Sequence, residues 1–384
     1  MKPCFKHIHP VYEVEKGILR VGETLDIAVE MEDEDGSIRF LISLMDGTRT
    51  LENIYKEILI QYPHIQFNEI IDAINEFNNI GMLYDYEQEE STKLTERELE
   101  RYKVNLNYFS LFSNLDLSPR MIQEKLNDAK VTIIGVGAFG CSLLLYLSAL
   151  GVKQIQIIDD DTIELSNLNR QLIFNESDIG RYKVDVAKEY IAKFHSSTRI
   201  EAISKRILSK SDVEAYVTGS DCVLLAADYP KFILQGWVNS VCVQHNIPAI
   251  YGGVNLDKGF VYSVIPGKTG CIDCMMLNRA EQAIDFVSIL EKYLLLKFQN
   301  PSSVTAPNLM MVTGIMATEF QRMVTGVGEK LSAGRILAVD FVTYSTSTIE
   351  EWEQNHEKCP TCGIGSHDQP IFKVLAQAEE YLLC

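Results

Sequence analysis

The alternation of apolar and polar positions changes period several times along the chain, and each change marks an element. "GILRVG" and "TLDIAVEME" alternate every second residue, as half-buried strands do. "SIRFLISLMDGTRTLENIYKEILIQY" then moves to a helical period. Asp46-Gly47 makes a turn, Thr50 is placed as an N-cap, and Leu51, Ile54, Tyr55, Ile58 and Leu59 form one stripe. A further stripe at Phe67, Ile70, Ile71, Ile74 and Phe77 closes at Gly81 and the strand-like "MLYDY". Strands, helices and a final wing predict a winged-helix-like α+β domain over residues 1–86. "EQEESTKLTERELE" is charged and almost free of apolar residues, a linker over 87–98 that runs into a helix. From Lys130 onward "VTIIGVG", "QIQIIDD", "DCVLLAAD" and "IPAIYGGV" are buried-strand runs interleaved with helical patterns. That rhythm predicts an α/β domain over 99–384, a Rossmann-like, mostly parallel sheet with helices on both faces.

A chain of 384 residues has room for a large domain and a smaller one, and 46% hydrophobic residues suffice for both cores. The formal net charge is −18, which argues against a nucleic-acid partner because phosphate binding needs concentrated positive charge. The winged-helix-like unit repeats the point locally. Its stripe helices carry Lys56 as their one basic residue against Glu52, Glu57, Glu69, Asp72 and Glu76, so DNA would be repelled. An exposed edge strand that pairs with an extended peptide remains open to it. The start has no apolar core of a signal peptide, and no uninterrupted apolar run reaches the roughly 18 residues of a membrane span. A cytoplasmic protein without a membrane partner is expected.

The chemistry concentrates between residues 131 and 228. "VTIIGVGAFG" sets Gly135, Gly137 and Gly140 directly after a buried strand and at the opening of a helix. This is a dinucleotide-type phosphate loop: a tight turn, a close backbone approach, and a helix N-terminus aimed at anionic oxygens. Asp159 ends the next strand about 20 residues on, where an acid can accept hydrogen bonds from ribose hydroxyls. Asp161 follows it in the same acidic run. Up to this point an NAD dehydrogenase fits equally well. "LSNLNRQ" then adds Asn167, Arg170 and Gln171, and "IGRYKVDVAK" adds Lys183. A pyrophosphate is handled mostly by backbone amides, whereas a triphosphate, with nearly twice the charge, calls for fixed cations and a metal. Arg170 and Lys183 are the cations. Asp228, at the end of "DCVLLAAD", is the natural Mg²⁺ ligand, because strand C-termini converge on the ligand crevice of open α/β sheets.

Taken in order, "GVGAFG…IIDDDTIELSNLNRQLIF…IGRYKVDVAK…AAD…CIDC…CPTCG" resembles the ThiF/MoeB/HesA adenylating enzymes of the ubiquitin-activating-enzyme-like superfamily, over about Leu99 to Cys362. The resemblance implies that Asp159 binds the ribose of ATP, that Arg170 and Lys183 hold its phosphates, and that Asp228 holds Mg²⁺. It implies a reaction in which a substrate carboxylate attacks the α-phosphate of ATP, giving an acyl-adenylate and pyrophosphate. Catalysis then rests on stabilising crowded phosphate charge. Three positions depart from the family pattern. Ala138 replaces a glycine, Tyr229 follows Asp228 where an asparagine is common, and Val104 stands where the family often has an arginine that reaches a partner subunit's ATP. A homodimer is implied nonetheless.

Four of the nine cysteines fall into two CxxC pairs, Cys271/Cys274 and Cys359/Cys362. Four thiolates give a closed tetrahedral Zn²⁺ site with no position left for water, hence a structural one. Redox-active or idle pairs are the alternative. The family resemblance implies that the metal staples the C-terminal tail to the adenylation domain. Cys4, Cys141, Cys222, Cys242 and Cys384 have no partner spacing and read as small hydrophobes. The helical stretch 278–305 is either a crossover that gates the substrate or a dimer-contact helix.

Residues 1–86 resemble the PqqD-like peptide-recognition domain of peptide-modifying enzymes, most of all at "LMDGTRTLENI". The combination points to enzymes of microcin-C-type and pantocin-A-type biosynthesis. The expected function is adenylation of a carboxylate or amide of a ribosomal precursor peptide, leading to cyclisation or dehydration, with the leader held by the N-terminal domain. Activation of a ubiquitin-like sulfur carrier is the rival enzyme reading. A non-catalytic scaffold that presents peptide to a partner cyclase is the rival of another class, and the retained Arg170, Lys183 and Asp228 argue against it.

Overall fold

The computed structural model describes residues 1–23, 28–296, 303–352 and 354–383. Residues 24–27 of the expected second strand, 297–302 of the expected crossover and Cys384 lie outside the described residues. The chain divides into two compact units, Met1–Lys125 and Leu126–Cys384.

In the smaller unit, β1 (Pro3–Phe5) pairs antiparallel with β5 (Leu83–Asp85). β2 (Val11–Glu15), β3 (Ile18–Val21) and β4 (Val29–Glu32) form an antiparallel sheet with β3 in the middle. Three helices follow: α1 (Ser37–Leu44), α2 (Leu51–Gln61) and α3 (Phe67–Asn79). Local chemistry starts two of them. The Thr50 hydroxyl accepts from the Asn53 amide at the head of α2, and Gln66 and Glu69 cap each other's backbone at the head of α3. Their stripes then meet in one core, in which Ile54, Ile58, Ile70, Ile74 and Phe77 pack with Leu19 and Val21 of β3. The charged segment after residue 86 contains a single helical turn, Glu87–Glu90, and Thr95 caps the helix Glu96–Arg101. Lys6 is wholly buried. Its ammonium donates to the carbonyls of Gly81 at 2.6 Å and Ser113 at 2.8 Å, and burial lowers its pKa to about 8.

The larger unit is built on one eight-stranded sheet of order β13-β12-β11-β10-β9-β6-β7-β8. Its strands are β6 (Lys130–Ile134), β7 (Gln154–Ile158), β8 (Arg199–Ile203), β9 (Cys222–Leu225), β10 (Ala249–Asn255), β11 (Lys258–Val264), β12 (Arg335–Asp340) and β13 (Thr346–Glu351). From β10 to β8 every pairing is parallel, and β11, β12 and β13 extend the sheet as an antiparallel meander. The central parallel strands β6 and β9 are mostly buried on both faces, as helices on two sides require, with Ile133, Val223 and Leu224 fully buried, whereas the edge strand β8 exposes Arg199 and Glu201. The chain runs outward from β6 through β7 to β8, then returns to β9 on the other side of β6. That reversal opens a crevice at the C-terminal ends of β6 and β9, the place where open α/β sheets bind ligands. Among the described residues, no helix is long and apolar enough to cross a membrane.

Candidate nucleotide and metal sites

The crevice holds a cavity lined by Gly135 and Gly137 after β6, Asp159, Asp160 and Asp161 after β7, Lys205 and Arg206 after β8, and Asp228 and Tyr229 after β9. Two glycines make the turn possible. Gly135 has φ 97°, and a β-carbon there would lie 2.9 Å from the Ala226 carbonyl. A β-carbon on Gly140 would meet the Gly135 oxygen at 2.0 Å, so only glycine lets the helix Ala138–Leu150 start this close to β6. That helix begins without a side-chain cap, which leaves its first amides directed at whatever occupies the loop.

Asp159 is fixed by the loop it faces. One carboxylate oxygen accepts from the Val136 amide at 2.6 Å and the other from the Asp161 amide at 2.9 Å. Burial raises its pKa above the ordinary carboxylate value, and these two bonds, with Lys183 nearby, pull it back. Lys183, itself buried, holds Asp161 through an ion pair of 2.7 Å. The Asn167 side chain accepts from the Glu164 amide at 3.0 Å and so shapes the segment between. Arg170 donates to the Ser166 carbonyl and the Asn169 side chain, each at 2.9 Å. Beside it Gln171 is buried, its side-chain oxygen has no hydrogen-bond partner among the described residues, and its nitrogen lies 4.0 Å from where a β-carbon on Gly137 would sit.

Of the residues singled out from the sequence, Gly135, Gly137, Asp159, Asp161 and Asp228 therefore line the cavity. Gly140 closes the turn beneath it, while Asn167, Arg170 and Lys183 are not among the lining residues. Two cations that do line it, Lys205 and Arg206, escaped the sequence reading. Their signal was positional: "SKR" follows β8 directly, at the same end of the sheet as Asp159 and Asp228. Neither makes an ion pair among the described residues, and the Arg206 guanidinium stands 5.5 Å from the centre of the Tyr229 ring.

At the other chemical centre, Cys271, Cys274, Cys359 and Cys362 bring their sulfurs within 4.8 Å of one another. Separations of 3.9 Å (Cys271–Cys274), 3.6 Å (Cys271–Cys359), 3.6 Å (Cys359–Cys362) and 3.2 Å (Cys274–Cys362) surround the ~3.8 Å edge of a sulfur tetrahedron around zinc. The His356 amide points at the Cys274 sulfur (3.3 Å) and the Cys362 amide at that of Cys359 (3.5 Å), support of the kind thiolates receive. The donor set fits Zn²⁺ and leaves no open position. Cys141, Cys222 and Cys242 are instead buried in the core outside that cluster, and burial pushes their thiols up.

A model of the ThiF family matches residues 102–361, more than half of the chain. The chain belongs to the ThiF family. The SAMP-activating enzyme E1 of Haloferax volcanii is 28% identical over 250 residues, 64% of this chain and 84% of that protein. The molybdopterin-synthase adenylyltransferase of Escherichia coli is 26% identical over 243 residues, 63% of this chain and 90% of that protein. In fold, the chain is similar to E. coli MccB, the microcin C7 biosynthetic enzyme, solved with AMPCPP and MccA. That match has a TM-score of 0.72 at 23% identity, over 94% of this chain and 100% of the other. The ThiF-family chain is thus an adenylating enzyme, and the α/β sheet with its loop after β6 is the ThiF adenylation fold.

Proposed function

We propose that this enzyme adenylates a carboxylate or amide of a ribosomally made precursor peptide, driving its cyclisation or dehydration, while the N-terminal unit holds the peptide's leader. One observation carries the choice of substrate. The likeness to MccB, solved with MccA, extends over 94% of the chain, whereas the activating-enzyme and adenylyltransferase relatives align with at most 68% of it. An adenylating domain that acts only on a small carrier protein has no need of the additional N-terminal unit. In that unit β2 and β4 pair only with β3 among the described residues, so each has an outer edge to which an extended leader can add as a strand.

In this reading ATP lies in the crevice with its ribose on Asp159 and its phosphates over Gly135, Gly137 and the helix start beyond Gly140. Asn167 holds the intervening segment in shape, and Arg170 and Lys183 neutralise phosphate charge, Lys183 by exchanging Asp161 for the nucleotide. Asp228 and the neighbouring carboxylates Asp160 and Asp161 are hard oxygen donors, which fit Mg²⁺. That ion, when bound, offsets the charge of the leaving pyrophosphate. The substrate oxygen attacks the α-phosphorus, the bond to the bridging oxygen breaks, and pyrophosphate carries the electron pair away. No side chain acts as nucleophile. Zn²⁺ in the four-cysteine site fastens the segment around Cys359 and Cys362 to the helix that starts after Cys271. The enzyme works in the cytoplasm as a homodimer.

The test is mass spectrometry of candidate precursor peptides incubated with enzyme, ATP and Mg²⁺. An added AMP or a loss of water is expected. If a carrier protein ending in two glycines supports pyrophosphate exchange and no peptide does, the sulfur-carrier reading favoured by the names of the aligned relatives takes its place.

A further inference from the structure

The loop that follows β9 includes Asp228 and Tyr229, which line the cavity, and runs on to Phe232, whose φ of 65° is one that side-chain-bearing residues rarely adopt. A backbone held in that region persists only where its surroundings over-determine it. The surroundings here are specific. The Lys231 ammonium donates to the Tyr293 hydroxyl at 2.5 Å and stands 4.8 Å from the centre of the same ring. The Phe232 ring meets Tyr293 edge to face, with centroids 6.3 Å apart and planes at 84°. Tyr293 lies on the helix Phe286–Leu295, which is anchored in the core by Leu290 and Leu294. Two successive residues of the loop, Lys231 and Phe232, three and four positions beyond Asp228, are therefore fastened to one tyrosine on a firmly seated helix.

We propose that Tyr293 is a positioning residue: by gripping Lys231 and Phe232 it fixes the loop so that Asp228 faces the cavity, and it thereby sets the Mg²⁺-dependent part of nucleotide binding. This rests on the nucleotide reading of the crevice. Among the described residues Asp228 makes no hydrogen bond or ion pair that would hold it there by itself, so its place depends on the backbone behind it. Freed of Tyr293, the loop relaxes from its left-handed kink and Asp228 moves with it. The ribose acid Asp159, tied by its own backbone bonds, does not move.

Calorimetry with AMPCPP, in Mg²⁺ and in EDTA, on the full-length wild type, Tyr293→Phe, Lys231→Met and the double variant, tests this. Tyr293→Phe keeps the ring and removes the hydroxyl; Lys231→Met removes the same bond from the exposed side and serves if the first variant folds poorly. In EDTA all four proteins should bind alike. In Mg²⁺ each single variant should lose about tenfold in affinity, the worth of one charge-assisted hydrogen bond, and the double variant no more than either single one. Equal losses with and without Mg²⁺, no loss at all, or additive losses in the double variant overturn the proposal. A wild type that takes up no AMPCPP overturns the nucleotide reading itself, and the proposal with it.

Discussion

The two chemical centres of the larger unit are built on opposite terms. Around the four cysteines the site is largely closed: Cys271, Cys274 and Cys359 are fully buried, Cys362 half-buried, and backbone amides already point at two of the sulfurs. The crevice is open and electrically unfinished. Asp160, Asp161 and Asp228 are exposed, and Lys205 and Arg206 face the same space without an ion-pair partner among the described residues. The first arrangement suits a group that never leaves. The second suits one that arrives with its own charge and departs. The sulfur centre should therefore carry stability and the crevice affinity, with little exchange between the two roles.

The largest effect expected is on the sulfur side. Cys274→Ser should abolish metal retention and lower the melting temperature by about 10 °C or more, because structural zinc binding is itself folding free energy. Atomic absorption and a thermal melt read both; a wild type that melts at the same temperature after chelation would break the comparison. Next, Asp159→Asn keeps shape but weakens the acceptor proposed for the ribose. It should cost about 10- to 100-fold in AMPCPP affinity, measured by calorimetry, and leave metal content unchanged. Smaller still, Lys205→Met and Arg206→Met should each lose about 3- to 10-fold for AMPCPP and leave adenosine binding untouched, with the loss shrinking as salt rises. Equal losses for adenosine would place these cations against the base instead of the phosphates.

The smallest expected effect concerns pH. Burial raises the folded-state pKa of Asp159, so between its ordinary value of 3.8 and that raised value the folded protein holds more protons than the unfolded one. Stability of the nucleotide-free enzyme should therefore fall as pH rises through that window, and Asp159→Asn should flatten this part of the profile. Chemical denaturation across the acid range gives the answer, and a variant as pH-dependent as the wild type would count against a raised Asp159 pKa in the folded state.

How far the sequence could be read followed how local the cause was. The Thr50 cap, the stripes of α2 and α3, and the glycines of the loop after β6 depend on neighbours within a turn or two, and the expected helices and strand appear where those signals stand. The two CxxC pairs could be joined across the stretch 275–358 because four sulfurs have few other uses together. The joining of β11 to β12 had no such local mark, since that pairing is settled between Lys258 and Asp340, far apart in the chain. Lys205 and Arg206 went unnoticed for the same reason. Two exposed cations after a strand look like ordinary surface until the β7–β8 register sets them beside the acids that follow Ile158. Tyr293, in a helical stretch expected to be either a substrate-gating crossover or a dimer-contact helix, becomes meaningful through its contacts with Lys231 and Phe232.

The central claim is that the crevice takes a nucleoside triphosphate and not a dinucleotide. Side-by-side calorimetric titration of the full-length enzyme with AMPCPP and with NAD, both in Mg²⁺, tests it most directly. The account predicts saturable AMPCPP binding that Asp159→Asn weakens, and little or no NAD binding; tight NAD uptake with indifference to AMPCPP would contradict it.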